Sequence, residues 1–252
     1  MTNKLKYFIG NWKMFGDFTS FKIVSKLNEF KYRSKDVYKT KIVLCVPNTL
    51  IYFFKKNLKS KHLSLGAQNC NEYEKEGPYT GSVSSAMIKK AGAEYIILGH
   101  SENRSEGETN FLIKKKIQSS LQQKMNIIFC IGESLSDKRN GKTFSVLKKQ
   151  IGQSIDIKFE LNKIIFAYEP VWAIGTNRTP QKIELENTIN FLKSFIKKKF
   201  KIKKNPKILY GGSVNPKNIS QFSSIPQIDG FLIGGASQSS KKFIDIVKNY
   251  YK

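Results

Sequence analysis

Arginine is scarce in this sequence. Four arginines, Arg33, Arg104, Arg139 and Arg178, stand within a combined lysine and arginine count of 44, in a chain of 252 residues with a net charge of +25. Proteins that read nucleic-acid sequence lean on arginine forks and stacking aromatics. A charge built almost wholly from lysine is read first as compositional, since Lys, Asn and Ile share A/T-rich codons, and only second as a polyanion-binding scaffold. No specific nucleic-acid partner is expected, although such a charge helps to recruit an anionic substrate. Cysteine is scarce too: Cys45, Cys70 and Cys130 are odd in number and form no CxxC pair. That excludes a disulfide framework and leaves a zinc site short of ligands, so reduced thiols in a cytoplasmic setting fit best. No apolar run approaches the length of a membrane span. The N-terminal MTNKLKYFIGNWK lacks the apolar region and cleavage site of a signal peptide. No proline- or serine-rich linker divides the sequence, and a single domain over 1–252 is expected.

What is present is a repeated pattern of short apolar run, polar or glycine-rich turn, then amphipathic stretch. The runs are YFIGNW (7–12), KIVLCVP (41–47), LSLGAQN (63–69), EYIILGHS (94–101), NIIFCIGE (126–133), KIIFAYEP (163–170), KILYGGSV (207–214) and DGFLIGGA (229–236). Each is nearly continuously apolar, as a strand buried on both faces should be. Between them lie helical periodicities, such as Leu185, Ile189, Leu192, Phe195 and Ile196, and Phe243, Ile246, Val247 and Tyr250. Alternating strands and helices of this number predict an α/β fold, a closed (β/α)8 barrel of parallel strands, with a doubly wound open sheet as the alternative.

A barrel places function at the C-terminal ends of its strands. Polar residues collect there: Asn11 and Lys13 after the first run, His100, Ser101 and Glu102 after the fourth, Glu133 after the fifth, and Glu169 after the sixth. Gly211-Gly212-Ser213 ends the seventh run and Gly234-Gly235 the eighth. The two glycine-rich ends suit backbone N–H groups approaching a phosphate, or serve as tight turns alone. His100 precedes a Ser- and Glu-rich stretch that could start a helix, where the positive end disfavours an imidazolium. It is either a hydrogen-bond donor to a carbonyl or a satisfied core histidine. Lys13 is either a partner for a phosphate or oxyanion or one more surface lysine. Glu169 is either a general base whose pKa an apolar cover can tune, or a capping acid or ion-pair partner.

Several chemistries are absent. NGKT (140–143) lacks the first glycine of a phosphate-binding loop, no GxGxxG follows the first run, and there is neither GxSxG nor HExxH. The sixth run ends in Glu rather than a Schiff-base Lys. An anion cradle, a base, a neutral electrophile and a cation remain, a set suited to proton abstraction beside a carbonyl on a small phosphorylated substrate. Another phosphate-binding barrel isomerase or lyase shares that set.

Taken together, GNWKM (10–14), AQN (67–69), YTG (79–81), ILGHSE (97–102), CIGE (130–133), AYEPVWAIGT (167–176), YGGSV (210–214) and DGFLIGGAS (229–237) closely resemble the triosephosphate isomerase family, in the family's order and over nearly the whole chain. The resemblance implies interconversion of dihydroxyacetone phosphate and D-glyceraldehyde 3-phosphate through an enediol(ate), in glycolysis and gluconeogenesis, with no metal or organic cofactor. It implies Glu169 as base, His100 as electrophile and proton shuttle, Lys13 as the stabilising cation and Asn11 as a substrate-fixing group. Backbone N–H groups of Gly175, Ser213, Gly234 and Gly235 would hold the phosphate. Val171, Trp172, Ala173, Ile174, Gly175 and Thr176 would form a lid.

The sequence departs from the family pattern in three places. Asn177-Arg178, with Pro180 shortly after, replaces the usual Gly-Lys at the end of the lid, which predicts a stiffer hinge. Ser82 and Asn103 occupy the positions of an acid and an arginine that pair across the family's dimer interface; losing both avoids a stranded charge. Phe15 replaces a usually smaller residue. A homodimer is therefore expected to persist through apolar packing around Phe15 and Tyr79, with Thr80 reaching the partner's active site.

Overall fold

A computed structural model describes residues 5–33, 39–58, 62–176 and 178–252. Within them, eight parallel strands run β1 Lys6–Asn11, β2 Thr40–Cys45, β3 Leu63–Ala67, β4 Tyr95–Leu98, β5 Asn126–Ile131, β6 Ile164–Tyr168, β7 Lys207–Tyr210 and β8 Gly230–Ile233, and they close into a barrel in sequence order. Closure, with β8 pairing β1 from Tyr7↔Gly230 to Gly10↔Ile233, decides against the open sheet. The strands stop short of the apolar runs. The run at 94–101, for example, shortens to Tyr95–Leu98, so His100 and Glu169 stand just beyond their strands, where backbone geometry can turn.

Burial on both faces has a simple origin. Side chains alternate along a strand. Tyr7, Ile9, Val43, Cys45, Tyr95, Ile97, Ile128, Cys130, Ile165, Ala167, Leu209 and Leu232 form a separate cluster that fills the barrel. Their neighbours Phe8, Ile42, Leu44, Ile96, Phe129, Phe166 and Phe231 join the larger outer core beneath the helices. Those helices include α1 Phe21–Arg33, α2 Asn48–Asn57, α3 Ser85–Lys90, α4 Ser101–Ser105, α5 Asn110–Gln122, α6 Leu135–Arg139, α7 Thr143–Ser154, α8 Lys182–Lys199, α9 Ser220–Ser223 and α10 Ser240–Tyr251. The expected stripes are the ones that pack: Leu185, Ile189, Leu192 and Ile196 of α8 are buried, as are Phe243, Ile246, Val247 and Tyr250 of α10. Phe195 lies partly buried against the same core. All three cysteines are buried free thiols. Among the described residues, no helix is long and apolar enough to cross a membrane.

Alternation also positions the site. Extending the inward parity of each strand gives Asn11 after Ile9, Glu169 after Ala167, Gly211 after Leu209 and Gly234 after Leu232. On β4 the next inward position is Gly99, whose φ of 72° is one a side chain resists, and this turn delivers His100 to the mouth. The closing seam tolerates no side chain at Gly230, where a Cβ would stand 2.0 Å from the Tyr7 carbonyl oxygen. Gly230→Ala should therefore cost about 3 kcal/mol in urea unfolding, the upper range for forced overpacking. A loss under about 0.5 kcal/mol would show that the seam relaxes freely.

Candidate active site

At the C-terminal mouth lies a cavity of about 500 Å3 lined by Asn11, Lys13, His100, Glu169, Ile174, Gly175, Gly211, Gly212, Ser213, Gly234 and Gly235, together with residues 214–217, Leu232, Ala236 and Lys242. Sequence reasoning proposed eight catalytic and substrate-binding residues, and all of them line it. Of the lid, Ile174 and Gly175 reach the cavity, while Val171–Ala173 form a short 3-10 turn beside it. Phe15 and Tyr79 lie outside it as exposed aromatics, Tyr79 stacked on Tyr73 with ring centroids 4.2 Å apart. Thr80 is also exposed, on the same loop as Tyr79.

Glu169 is 2% exposed. Its N–H donates to the Ile131 carbonyl at 2.8 Å, anchoring the residue to the end of β5. Burial raises its carboxyl pKa above 4.5, opposed by the facing His100 ring, by hydrogen bonding from Cys130 and by the nearby Lys13 ammonium. Oε1 lies 3.4 Å from His100 Nε2, and Oε2 accepts no side-chain or backbone hydrogen bond among the described residues. Neighbouring glycines make room for it: a Cβ on Gly211 would come within 2.7 Å of Glu169 Cγ.

His100 caps α4, and its Nδ1 accepts the N–H of Glu102 at 3.2 Å. An accepting Nδ1 has a free lone pair, so the ring's single proton sits on Nε2, the nitrogen that faces Glu169. Lys13 adopts φ 56°, a left-handed conformation that costs a residue with a Cβ about 1–3 kcal/mol and is characteristic of sites under functional constraint. Its N–H donates to Asn11 Oδ1 at 3.0 Å, and its ammonium pairs with the Glu102 carboxylate. Asn11 Oδ1 also accepts from Gln68 at 3.4 Å, which leaves the Asn11 amide N–H groups for the cavity.

Two supporting residues escaped the sequence reading. Gln68 donates to the carbonyls of Lys13 (2.9 Å) and Cys45 (3.1 Å), holding the strained turn; its signal was its place inside AQN. Arg104 donates to the carbonyls of Gly99 (2.7 Å) and Cys130 (3.2 Å), clamping the ends of β4 and β5; its signal was being an arginine in a lysine protein. Glu133, by contrast, points away from the cavity. It accepts Trp172 Nε1–H at 2.9 Å and Tyr168 O–H at 3.2 Å, while Lys138 Nζ sits 3.9 Å from the Trp172 ring centroid. At the end of the lid, Arg178 N–H donates to Thr176 Oγ1 at 3.2 Å and Pro180 is buried; Asn177 lies outside the described residues. Ser82 Oγ accepts from Asn71 at 2.9 Å, and Asn103 borders a second cavity that also opens on Asn11, Lys13 and His100.

The elevated Glu169 carboxyl has a stability consequence with a definite sign. Folding disfavours the ionised form, so the penalty is absent below the unfolded value near 4.5 and complete above the raised folded value. Glu169→Gln lacks it. The variant should melt higher than the parent at pH 8, by about 2–4 °C per kcal/mol relieved, with the gap narrowing towards pH 4.5. A gap that is constant or grows on acidification would contradict the burial penalty.

A model of the family described as Triosephosphate isomerase matches residues 6–250. A triosephosphate isomerase of Dictyoglomus thermophilum is 40% identical over 249 residues, covering 97% of this chain and 99% of the relative. One from Ruthia magnifica subsp. Calyptogena magnifica is 41% identical over 245 residues, covering 95% and 96%. The crystal structure of triosephosphate isomerase from Bartonella henselae superposes with a TM-score of 0.89 at 31% identity, covering 98% of this chain and 99% of that one. The fold, the order of the motifs and these end-to-end relatives agree, and the chain belongs to the triosephosphate isomerase family.

Proposed function

We propose that this member of the family interconverts dihydroxyacetone phosphate and D-glyceraldehyde 3-phosphate through an enediol(ate), with Glu169 as the base. The observation that carries this reading is the pairing of a buried carboxylate with an imidazole Nε2–H at 3.4 Å inside one cavity. Glu169 takes a proton from the carbon next to the carbonyl. Negative charge then develops on the carbonyl oxygen, where His100 Nε2–H donates a hydrogen bond and the Lys13 ammonium adds a positive field. Glu169 returns the proton to the neighbouring carbon while His100 moves protons between the two oxygens. The Asn11 amide fixes the substrate. Backbone N–H groups of Gly175, Ser213, Gly234 and Gly235 hold the phosphate. Closure of Val171–Thr176 excludes water from an intermediate that would otherwise eliminate phosphate. These steps are proton transfers among the chain's own side chains and call on no metal or organic cofactor.

The same reading assigns the chain to glycolysis and gluconeogenesis in the cytoplasm, working as one barrel domain per subunit of a homodimer. The exposed Phe15 (58%) and Tyr79 (39%), with the second cavity beside Asn11, support an apolar self-association surface with a socket for the partner's Thr80.

A coupled assay with D-glyceraldehyde 3-phosphate tests the assignment. Glu169→Ala should lower kcat by about 10^2–10^4-fold, the usual contribution of a positioned base. Undiminished activity would remove Glu169 from the role. Since the base must be ionised, kcat/KM should rise with pH along an acid limb lying above 4.5, the direction in which burial moves the Glu169 carboxyl. Equilibrium sedimentation at micromolar concentration should give a dimer, and monomer alone would count against the interface.

A further inference from the structure

The cavity wall holds two cations that the proton transfers do not use. Lys217, four residues beyond Ser213, and Lys242, in the first turn of α10, both line the cavity, on the chain segments that carry the phosphate cradle. Both are exposed, and neither ammonium makes a hydrogen bond or ion pair among the described residues. The charge balance of the cavity gives them a task. A triose phosphate arrives as a dianion. The backbone N–H groups at Gly175, Ser213, Gly234 and Gly235 bring partial charge but no net charge. Lys13 is the remaining cation of the wall, and it is already paired with Glu102. Glu169 adds a negative charge when ionised. Without Lys217 and Lys242, the dianion would enter a cavity with no net positive charge to balance it.

We propose that Lys217 and Lys242 form a cationic rim that captures the substrate phosphate and delivers it to the backbone cradle, making them binding determinants for phosphate dianions. The proposal rests on the isomerase reading. It separates the local rim from the chain's overall charge, because a distant lysine leaves the cavity's own field nearly intact once salt screens beyond about 10 Å.

The test compares Lys217→Gln/Lys242→Gln with a control of equal charge, Lys203→Gln/Lys204→Gln. The control pair lies on the connection entering β7, at the opposite end of the barrel, and both of its residues are exposed. At an ionic strength of about 0.1 M, where the screening length is about 10 Å, the rim variant should raise KM about fivefold, on the scale of two exposed ion pairs, with kcat within about twofold of the parent. The inhibition constant of inorganic phosphate should rise in the same ratio. In about 1 M KCl, where the screening length is about 3 Å, parent and variant should converge. The control should match the parent within about twofold throughout. An unchanged KM, an equal loss in the control, or a fall in kcat alone would overturn the proposal. The single variants Lys217→Gln and Lys242→Gln, each giving a smaller salt-sensitive rise, carry the test if the double variant is unstable. A parent without isomerase activity would refute the functional reading instead, and phosphate binding by the parent would still report on the rim.

Discussion

Side chains on the inner face of a closed eight-stranded sheet converge on one narrow axis, and each strand places every second residue there. That constraint organises the molecule. Along the barrel it demands apolar residues of matched size, met by the cluster running from Tyr7 to Leu232. At the mouth the same periodicity continues without the same packing demand. There it presents Asn11, Glu169, Gly211 and Gly234 as the next layer, so the site is the last course of the core, built from polar and small residues in place of Ile and Leu. A shift of one residue in β6 would send Glu169 outward and turn Tyr168 in, which is why the β5–β6 register, Ile131↔Tyr168, matters to chemistry as much as to stability.

The site is held by contacts that run between strand ends. Glu169 hangs from the Ile131 carbonyl, Arg104 ties Gly99 to Cys130, and Gln68 ties Lys13 to Cys45. These links join the ends of six consecutive strands, β1 to β3 through Gln68 and β4 to β6 through Arg104 and Glu169, and they fix backbone at the points where it leaves regular sheet. The left-handed Lys13 is tolerable because its amide, its carbonyl and its ammonium are each engaged. Local strain is held by a surrounding network that offers the turn no better alternative.

Much of this was legible in the sequence because strands buried on both faces have a distinctive composition. The runs counted the strands, and the polar residues ending them marked the mouth. Strand ends were overshot because apolar residues such as Val46 continue into buried loops, so hydrophobicity outlasts the ladder. The roles of Gln68 and Arg104 were hidden because they bond to backbone carbonyls, and a carbonyl carries no residue identity to match. Glu133 stood at a strand end like the others, yet parity turns it outward to Trp172. Only the phase of the alternation, invisible in a continuously apolar run, separates it from Glu169. The rim lysines were lost among their many equivalents; position along the cavity wall distinguishes them, not residue type.

Folding buries the Glu169 carboxylate at the cavity wall and raises its pKa before any ligand is bound. That burial is a cost the folded barrel carries on its own. A ligand that binds only the folded barrel adds favourable free energy to that state, so occupying the pocket also steadies the core. Folding and ligand binding are linked equilibria: stability rises with ligand concentration by an amount set by the ligand's affinity.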